Sequence, residues 1–61
     1  MQIRVVKYRV EIWDEYGIRN YSIFPSENEA RNYAISINNG ECKSYENCVA
    51  YIQRIEHYLC E

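Results

Sequence analysis

An alternation of apolar and charged residues near the start of the chain constrains the fold most. One set of side chains is apolar and the set between them is charged: Val6, Tyr8, Val10 and Ile12 against Lys7, Arg9 and Glu11. A period of two places each set on its own face of a strand, so one face is buried and the other is solvated. Asp14 and Gly17 favour a turn, and residues 18–24 resume the β-branched and aromatic pattern. These residues predict a β-hairpin.

A helix with signals at both ends follows the hairpin. Pro25 ends the second strand, Ser26 can cap the free amides of the first turn, and Glu29 completes a capping box. Apolar side chains then recur at helical spacing on one side: Ala30, Tyr33, Ala34 and Ile37. The sequence Asn38-Asn39-Gly40 is typical of a left-handed helix end. Because the apolar stripe contains two alanines, the helix is expected to lie close across a sheet.

The segment from residue 48 to residue 59 fits two structures. As a helix capped by Ser44 it would give the order β-β-α-α. As a strand it is rich in β-branched and aromatic residues, and the side chains expected to face inward are Val49, Tyr51, Ile55 and Leu59. The strand is favoured because a lone two-stranded hairpin is marginal in water and a third strand widens the sheet. We therefore predict an α+β fold in the order β-β-α-β, a small antiparallel sheet with the helix on one face.

Length and composition predict one small domain over residues 1–61. Hydrophobic residues make up 48% of the sequence, which is too many for a disordered segment. No apolar run is long enough to span a membrane, and the N-terminus lacks the apolar region of a secretory signal. Three cysteines without such a signal indicate free thiols in a reducing compartment. We therefore expect a cytoplasmic location, in the host cell if a phage encodes the chain.

The residue types that usually carry catalysis are scarce. The chain has one histidine and one aspartate, and neither a phosphate-binding glycine loop nor a nucleophile elbow, so we expect neither an enzyme nor a cofactor. A zinc module is an alternative, with four candidate ligands: Cys42, Cys48, His57 and Cys60. The five residues between the first two cysteines exceed the spacing of a usual zinc knuckle, and His57 and Cys60 would lie on opposite faces of a strand. The thiols are therefore expected to be small apolar fillers.

Basic residues on the hairpin favour another alternative, a nucleic-acid-binding domain. The hairpin carries Arg4, Lys7, Arg9 and Arg19, and a three-stranded sheet can enter a major groove. The same half of the chain contains the strand Tyr8-Arg9-Val10-Glu11-Ile12, a turn at Gly17, Phe24 at the end of the sheet, and a helix that opens with Glu29-Ala30. This combination resembles the small arm-binding domains of phage-type integrases and the plant AP2 domain, which implies DNA binding by the sheet. Those domains are strongly basic, whereas acidic residues interrupt this surface and the net charge is −2.

Binding to another protein is the favoured function. Tyr, Trp and Arg are the residue types enriched at the strongest contacts between proteins, and the positions expected to contact a partner are Arg9, Trp13, Tyr16, Arg19 and Tyr45. We interpret the chain as a small protein-binding module. Its size and composition resemble the small proteins of phages and mobile elements that block a host protein, anti-CRISPR inhibitors among them, which implies inhibition by steric occlusion. An unpaired strand edge in the C-terminal segment can also recruit a second copy, so a homodimer is a further expectation.

Overall fold

Three antiparallel strands and one helix make up the fold in the computed structural model, which describes residues 1–60. The elements are β1 (Gln2–Asp14), β2 (Gly17–Phe24), α1 (Glu27–Asn38), a 3-10 turn (Lys43–Tyr45) and β3 (Val49–Cys60). The strand order in the sheet is β2-β1-β3, and α1 packs on one face. The predicted order β-β-α-β is confirmed, and the alternative β-β-α-α is wrong. In the described part of the chain, no helix is long and apolar enough to cross a membrane.

The hairpin forms as the sequence predicts, with one irregularity. The carboxylate of Asp14 accepts a hydrogen bond of 2.7 Å from the backbone N–H of Tyr16, and Gly17 has a φ of 128° that favours glycine. Ile12 pairs with Asn20, whereas Trp13 pairs with Ile18, so β2 contains one extra residue at position 19. This β-bulge turns the end of the hairpin relative to the rest of the sheet.

The helix begins and ends where the sequence signals place it. The Ser26 hydroxyl accepts a hydrogen bond from the backbone N–H of Glu29, which satisfies one of the free amides of the first turn. At the other end Gly40 has a φ of 76° and its N–H donates to the Ile37 carbonyl. The predicted stripe faces the sheet, with Ala30, Ala34 and Ile37 buried and Tyr33 half-buried.

The core is small and lies under the helix. Its buried members are Val10, Ile12, Ala30, Ala34, Ile37, Cys48 and Ala50. Three of these seven are alanines, so α1 approaches the sheet closely but buries little apolar area per residue. Phe24 and Tyr33 close one end of the core with their ring centroids 5.3 Å apart. A core of this size supplies only a modest free energy of unfolding.

A side chain at the end of α1 fixes the position of β3. The Asn38 amide accepts a hydrogen bond of 2.8 Å from the Ala50 N–H and donates one of 3.3 Å to the Ala50 carbonyl. The Asn38 side chain therefore makes the same two hydrogen bonds to the Ala50 backbone that a residue of a neighbouring strand would make. Backbone groups alternate sides along a strand, so the N–H and C=O groups of even-numbered residues in β3 point away from β1, towards the outer edge of the sheet.

The predicted inward face of β3 is wrong. Ile12 pairs with Ala50 and Val10 with Ile52, so the even-numbered side chains of β3 lie on the same face as the core. The residues expected to face inward lie on the opposite face of the sheet: Val49, Tyr51, Ile55 and Leu59. The prediction chose the more apolar set of side chains, whereas pairing with β1 and the bond to Asn38 place the less apolar set under the helix.

One end of the sheet extends beyond the helix as a two-stranded arm. β2 ends at Phe24 opposite Tyr8, so residues 2–7 of β1 pair only with residues 55–60 of β3. The described part of the molecule measures 45 × 23 × 12 Å, and its radius of gyration is 13.6 Å. A compact chain of this length would have a radius of about 10.5 Å. We call residues 2–7 and 55–60 the arm.

Replacing Asn38 with Ala tests the bond between the helix and β3. Asn38→Ala leaves the buried backbone groups of Ala50 without these partners, so the free energy of unfolding should fall by about 1–3 kcal/mol. Asn39→Ala is the matched control, because Asn39 makes no side-chain hydrogen bond within residues 1–60. Urea unfolding of both variants checks this. Equal losses in both would contradict the assigned role of Asn38.

Candidate interaction surface

The face of the sheet opposite α1 carries most of the exposed apolar side chains. We call it the open face. Its apolar members come from all three strands: Ile3, Val5 and Trp13 on β1, Ile18, Tyr21 and Ile23 on β2, and Val49, Tyr51, Ile55 and Leu59 on β3. Tyr21 and Tyr51 are each more than half exposed. Exposed apolar and aromatic side chains grouped on one face in this way are typical of an interaction surface.

A network of four side chains holds the centre of the open face in place. The Nε of Arg9 lies 3.1 Å from a Glu11 carboxylate oxygen, and the Arg9 guanidinium stacks 4.1 Å from the centroid of the Tyr21 ring. The other Glu11 oxygen accepts a hydrogen bond of 3.3 Å from the Trp13 indole N–H. Two aromatic rings are thereby held by one ion pair. Side chains fixed in this way lose less conformational entropy when a partner binds.

The charge on the open face is small and positive. Glu11 and Arg9 neutralise each other, whereas Lys7, which pairs with Ile55 across the sheet, forms no ion pair within residues 1–60. His57 lies on the same face, beside Lys7 and opposite Val5. The open face therefore offers one ammonium group among apolar side chains, and a complementary surface would carry a carboxylate there.

The structure divides the predicted contact residues among three places. Arg9 and Trp13 lie together on the open face. Arg19 and Tyr45 lie at the bulge, where the guanidinium is 5.9 Å from the centroid of the Tyr45 ring and 3.7 Å from the Asp14 carboxylate. Tyr16 lies at the hairpin tip and is 89% exposed. The five residues therefore do not form one surface.

Tyr45 has a structural role in this arrangement. Its ring packs against the core, and its hydroxyl accepts a hydrogen bond of 2.9 Å from the Asn20 side-chain amide. It therefore joins the loop before β3 to the hairpin. A shallow cleft of about 390 Å³ lies beside it, lined by Asp14, Glu15, Tyr16, Arg19, Glu46 and Asn47. The cleft is polar and holds three carboxylates, so it is a poor match for the apolar contacts that anchor a protein partner.

The candidate zinc ligands do not meet. Cys48 is buried in the core, Cys42 is half-buried beside it, and Cys60 is exposed at the end of the arm. His57 lies on the open face, and Cys60 lies on the other face of the same strand. Within residues 1–60 no three Cys, His, Asp or Glu side chains are grouped closely enough to hold a metal ion. The arrangement gives the zinc alternative no support.

The arginines are paired with acids. Each arginine lies within 4.0 Å of a carboxylate, in the pairs Arg4–Glu56, Arg9–Glu11, Arg19–Asp14, Arg31–Glu27 and Arg54–Glu56. These carboxylates neutralise the charge that would otherwise attract a phosphate backbone. Nucleic-acid binding through the hairpin remains a prediction, and the charge distribution does not favour it.

A polar cluster covers the helix side of the arm. Arg54 Nη1 donates a hydrogen bond of 2.6 Å to the Glu56 carboxylate, and the Tyr58 hydroxyl donates one of 2.9 Å. The Arg54 bond and, after it, the Tyr58 bond lower the pKa of Glu56, and the same carboxylate raises the pKa of Tyr58. One face of the arm therefore carries this polar cluster, while its other face carries Lys7 and His57 among apolar side chains.

Comparisons with known proteins give no relative. No protein-family model matches the chain, and neither a curated protein nor a solved structure matches it. The candidate surface consequently rests on geometry and chemistry alone.

The apolar residues of β2 and β3 on the open face are the part that sequence reasoning missed. Tyr21, Ile23 and Tyr51 were not among the predicted contact residues, although all three lie near Arg9 and Trp13 in the sheet. The signal was present in the alternation of β1. Arg9 and Glu11 are polar, so the face of β1 that carries its odd-numbered side chains is solvated. The residues of β2 and β3 that pair with Arg9 and Glu11 must lie on the same face.

Glu56→Gln tests the cluster on the arm through its pH dependence. The lowered pKa of Glu56 means that the folded state stabilises the ionised carboxylate. This contribution to the free energy of unfolding is fully present above pH 4.5, the ordinary pKa of a glutamate, and is lost as the pH falls through the lowered pKa. The stability difference between the wild type and Glu56→Gln should therefore be largest near neutral pH and shrink below pH 4.5.

Urea unfolding at several pH values measures this difference. Glu46→Gln is the matched control, since Glu46 forms no ion pair in the described part of the chain. Because Arg54 and Glu56 are solvent-exposed, added salt should reduce the effect. A difference that grows as the pH falls would contradict the assignment.

Proposed function

We propose that this protein is a non-enzymatic protein-binding module and that the open face is its contact surface. One observation carries the proposal. On β3 the helix-side face carries Ala50, Ile52, Arg54 and Glu56, of which only Ala50 is buried, and the opposite face carries Val49, Tyr51 and Leu59, all exposed, with the half-buried Ile55. Exposing the more apolar face of a strand to water costs free energy. Burial of that face against another protein would recover it.

The chemistry of the open face supports a protein partner rather than a nucleic acid. Aromatic rings held by an Arg–Glu pair are typical anchors of protein interfaces. Trp13 and Tyr21 are such rings, and both contact the Arg9–Glu11 pair. The arginine that would contact phosphate is already neutralised by Glu11. A nucleic-acid-binding sheet would need unpaired cations in this place.

The same surface indicates what the partner looks like. The open face is long and nearly continuous, and it fits an apolar area of similar shape with a carboxylate opposite Lys7. An interface of usual size buries about 800 Å² on each partner, so a partner would cover most of this face. Trp13, Tyr21 and Tyr51 are the residues that we expect to contribute most of the binding free energy.

Occlusion is the mechanism that we propose. A sheet face made mostly of apolar and aromatic side chains acts by covering the partner's own contact surface or active-site entrance. The predicted role as an inhibitor of a host protein, encoded by a phage or mobile element, is one form of this proposal. In that form the partner surface would be one that the host protein needs for its function.

Two isoleucines of nearly equal exposure provide the test. Ile23 on the open face is 44% exposed and Ile35 on the outer side of α1 is 48% exposed. The partner is first obtained by affinity capture from the source cell and identified by mass spectrometry. Ile23→Glu should then weaken its binding by about tenfold or more, because a charge is buried in the interface, whereas Ile35→Glu should leave the affinity unchanged.

Calorimetry with the purified partner measures both affinities, and circular dichroism establishes that both variants fold. Capture alone does not support the proposal; the contrast between the two variants does. Binding that survives Ile23→Glu and is lost in Ile35→Glu would overturn the assigned surface. Capture of a nucleic acid, with an affinity that falls steeply with salt, would overturn the proposed class of partner.

A further inference from the structure

The outer edge of β3 is a long unpaired strand edge. β3 is the last strand in the order β2-β1-β3, and its twelve residues run from Val49 to Cys60. Asn38 bonds the backbone groups of Ala50. By alternation, the outward N–H and C=O groups beyond Ala50 belong to Ile52, Arg54, Glu56, Tyr58 and Cys60. An edge of this kind is a template for another strand.

The other free edges of the sheet are protected and this one is not. β2 has only eight residues, and its pairing with β1 is interrupted by the bulge at position 19. The free edge of β1 in the arm carries Arg4 and Lys7. β3 contains neither proline nor glycine, and its register with β1 is continuous from Gln2–Cys60 to Trp13–Val49. Bulges and charges are the usual means of blocking edge pairing, and β3 lacks a bulge and has only the mutually paired Arg54 and Glu56.

We propose that two copies of this chain pair through their β3 edges, antiparallel, with Ile55 on the two-fold axis. The two sheets then form one sheet of six strands in the order β2-β1-β3-β3-β1-β2. A symmetric antiparallel pair puts the same face of both copies on the same side. The two helices therefore lie on one side of the dimer and the two open faces form one continuous surface on the other.

Charge favours this register over the two neighbouring ones. With Ile55 opposite itself, Arg54 of each copy lies directly opposite Glu56 of the second copy, so two ion pairs form across the axis. If the sum of the two paired residue numbers changes by two, Arg54 lies opposite Arg54 of the second copy, or Glu56 lies opposite Glu56 of the second copy. Like charges directly opposite each other destabilise strand pairing. Both shifted registers are therefore disfavoured.

The remaining pairs in the same register also match in chemistry. Tyr51 lies opposite Leu59 of the second copy, and Ile52 opposite Tyr58. Gln53 lies opposite His57, and Ile55 opposite Ile55. Apolar side chains thus meet apolar or aromatic ones on both faces of the new strand pair, and the polar side chains meet each other.

Pairing also supports the arm. A two-stranded ribbon is marginally stable in water, and in this register the arm of each copy lies beside the helix-covered part of β3 in the other. The arm becomes part of a five-stranded region, made of its own two strands and the three strands of the second copy. Ala50 and the Ala50 of the second copy are ten residues apart along the strands, about 34 Å, so the two helices do not collide.

Cross-linking at the two-fold axis provides the sharpest test. In the proposed register the two Ile55 residues form a pair without direct backbone hydrogen bonds, with Cα atoms about 4.5 Å apart, a separation that a disulfide can bridge. Ile55→Cys in a Cys60→Ser background should give a disulfide-linked dimer with oxidised glutathione. Tyr51→Cys in the same background is the control, because the two copies of position 51 would be about 27 Å apart.

A charge variant provides an independent readout that does not depend on oxidation. Ile55→Glu places a carboxylate beside Lys7 within the chain but opposite an identical carboxylate across the axis. The monomer should fold, and sedimentation equilibrium should show self-association weakened by about tenfold or more. Ile23→Glu, on the β2 edge, should leave the dimer intact.

Each possible result decides the inference. Wild-type protein that remains monomeric into the high micromolar range would overturn it. So would a dimer that cross-links at Tyr51→Cys but not at Ile55→Cys, which indicates another register. A dimer that dissociates in Ile23→Glu but not in Ile55→Glu would show that the two copies pair through their open faces and not through their β3 edges. The inference does not rest on the proposed function, because Ile23→Glu separates partner binding from self-association.

Discussion

The length of the single helix is the constraint on which the rest of this structure depends. The twelve residues of α1 span about 18 Å, whereas the thirteen residues of β1 span about 43 Å. One helix can cover one face of part of such a sheet. The alanines of α1 bring it close to Val10 and Ile12, so the covered region is well buried but short. The uncovered face and the arm both follow from this mismatch of lengths.

The bond between Asn38 and Ala50 decides which residues remain uncovered. In a strand, the direction of a side chain and the direction of its backbone groups alternate together. When Ala50 faces α1, the aromatic Tyr51 must face away, and the outward backbone groups of β3 belong to its even-numbered residues. The register of β3 against β1 therefore determines both which side chains lie on the open face and which backbone groups lie on the free edge of β3. The network of Arg9, Glu11 and Trp13 then gives the open face fixed contacts at its centre.

Local signals were sufficient to predict the order of the elements and their ends. The cap at Ser26 and the left-handed residue at Gly40 depend on neighbours within a few positions, and both are confirmed. The face of β3 depends on a bond between residues twelve positions apart and on pairing with the far end of β1, which no local pattern encodes. Hydrophobicity misled there, because β3 turns its less apolar face towards the helix. Of the predicted contact residues, Arg9 and Trp13 lie on one face of β1, whereas the bulge at position 19 separates Arg19 from them.

The helix packs on the less apolar face of β3, at Ala50. Nuclear Overhauser contacts between methyl groups test it directly in solution, since they report separations of a few Å. We expect contacts from the methyl groups of Ala34 and Ile37 to that of Ala50. Contacts from the same helix residues to the methyl groups of Val49 would contradict it, because the sheet would then present its other face to the helix.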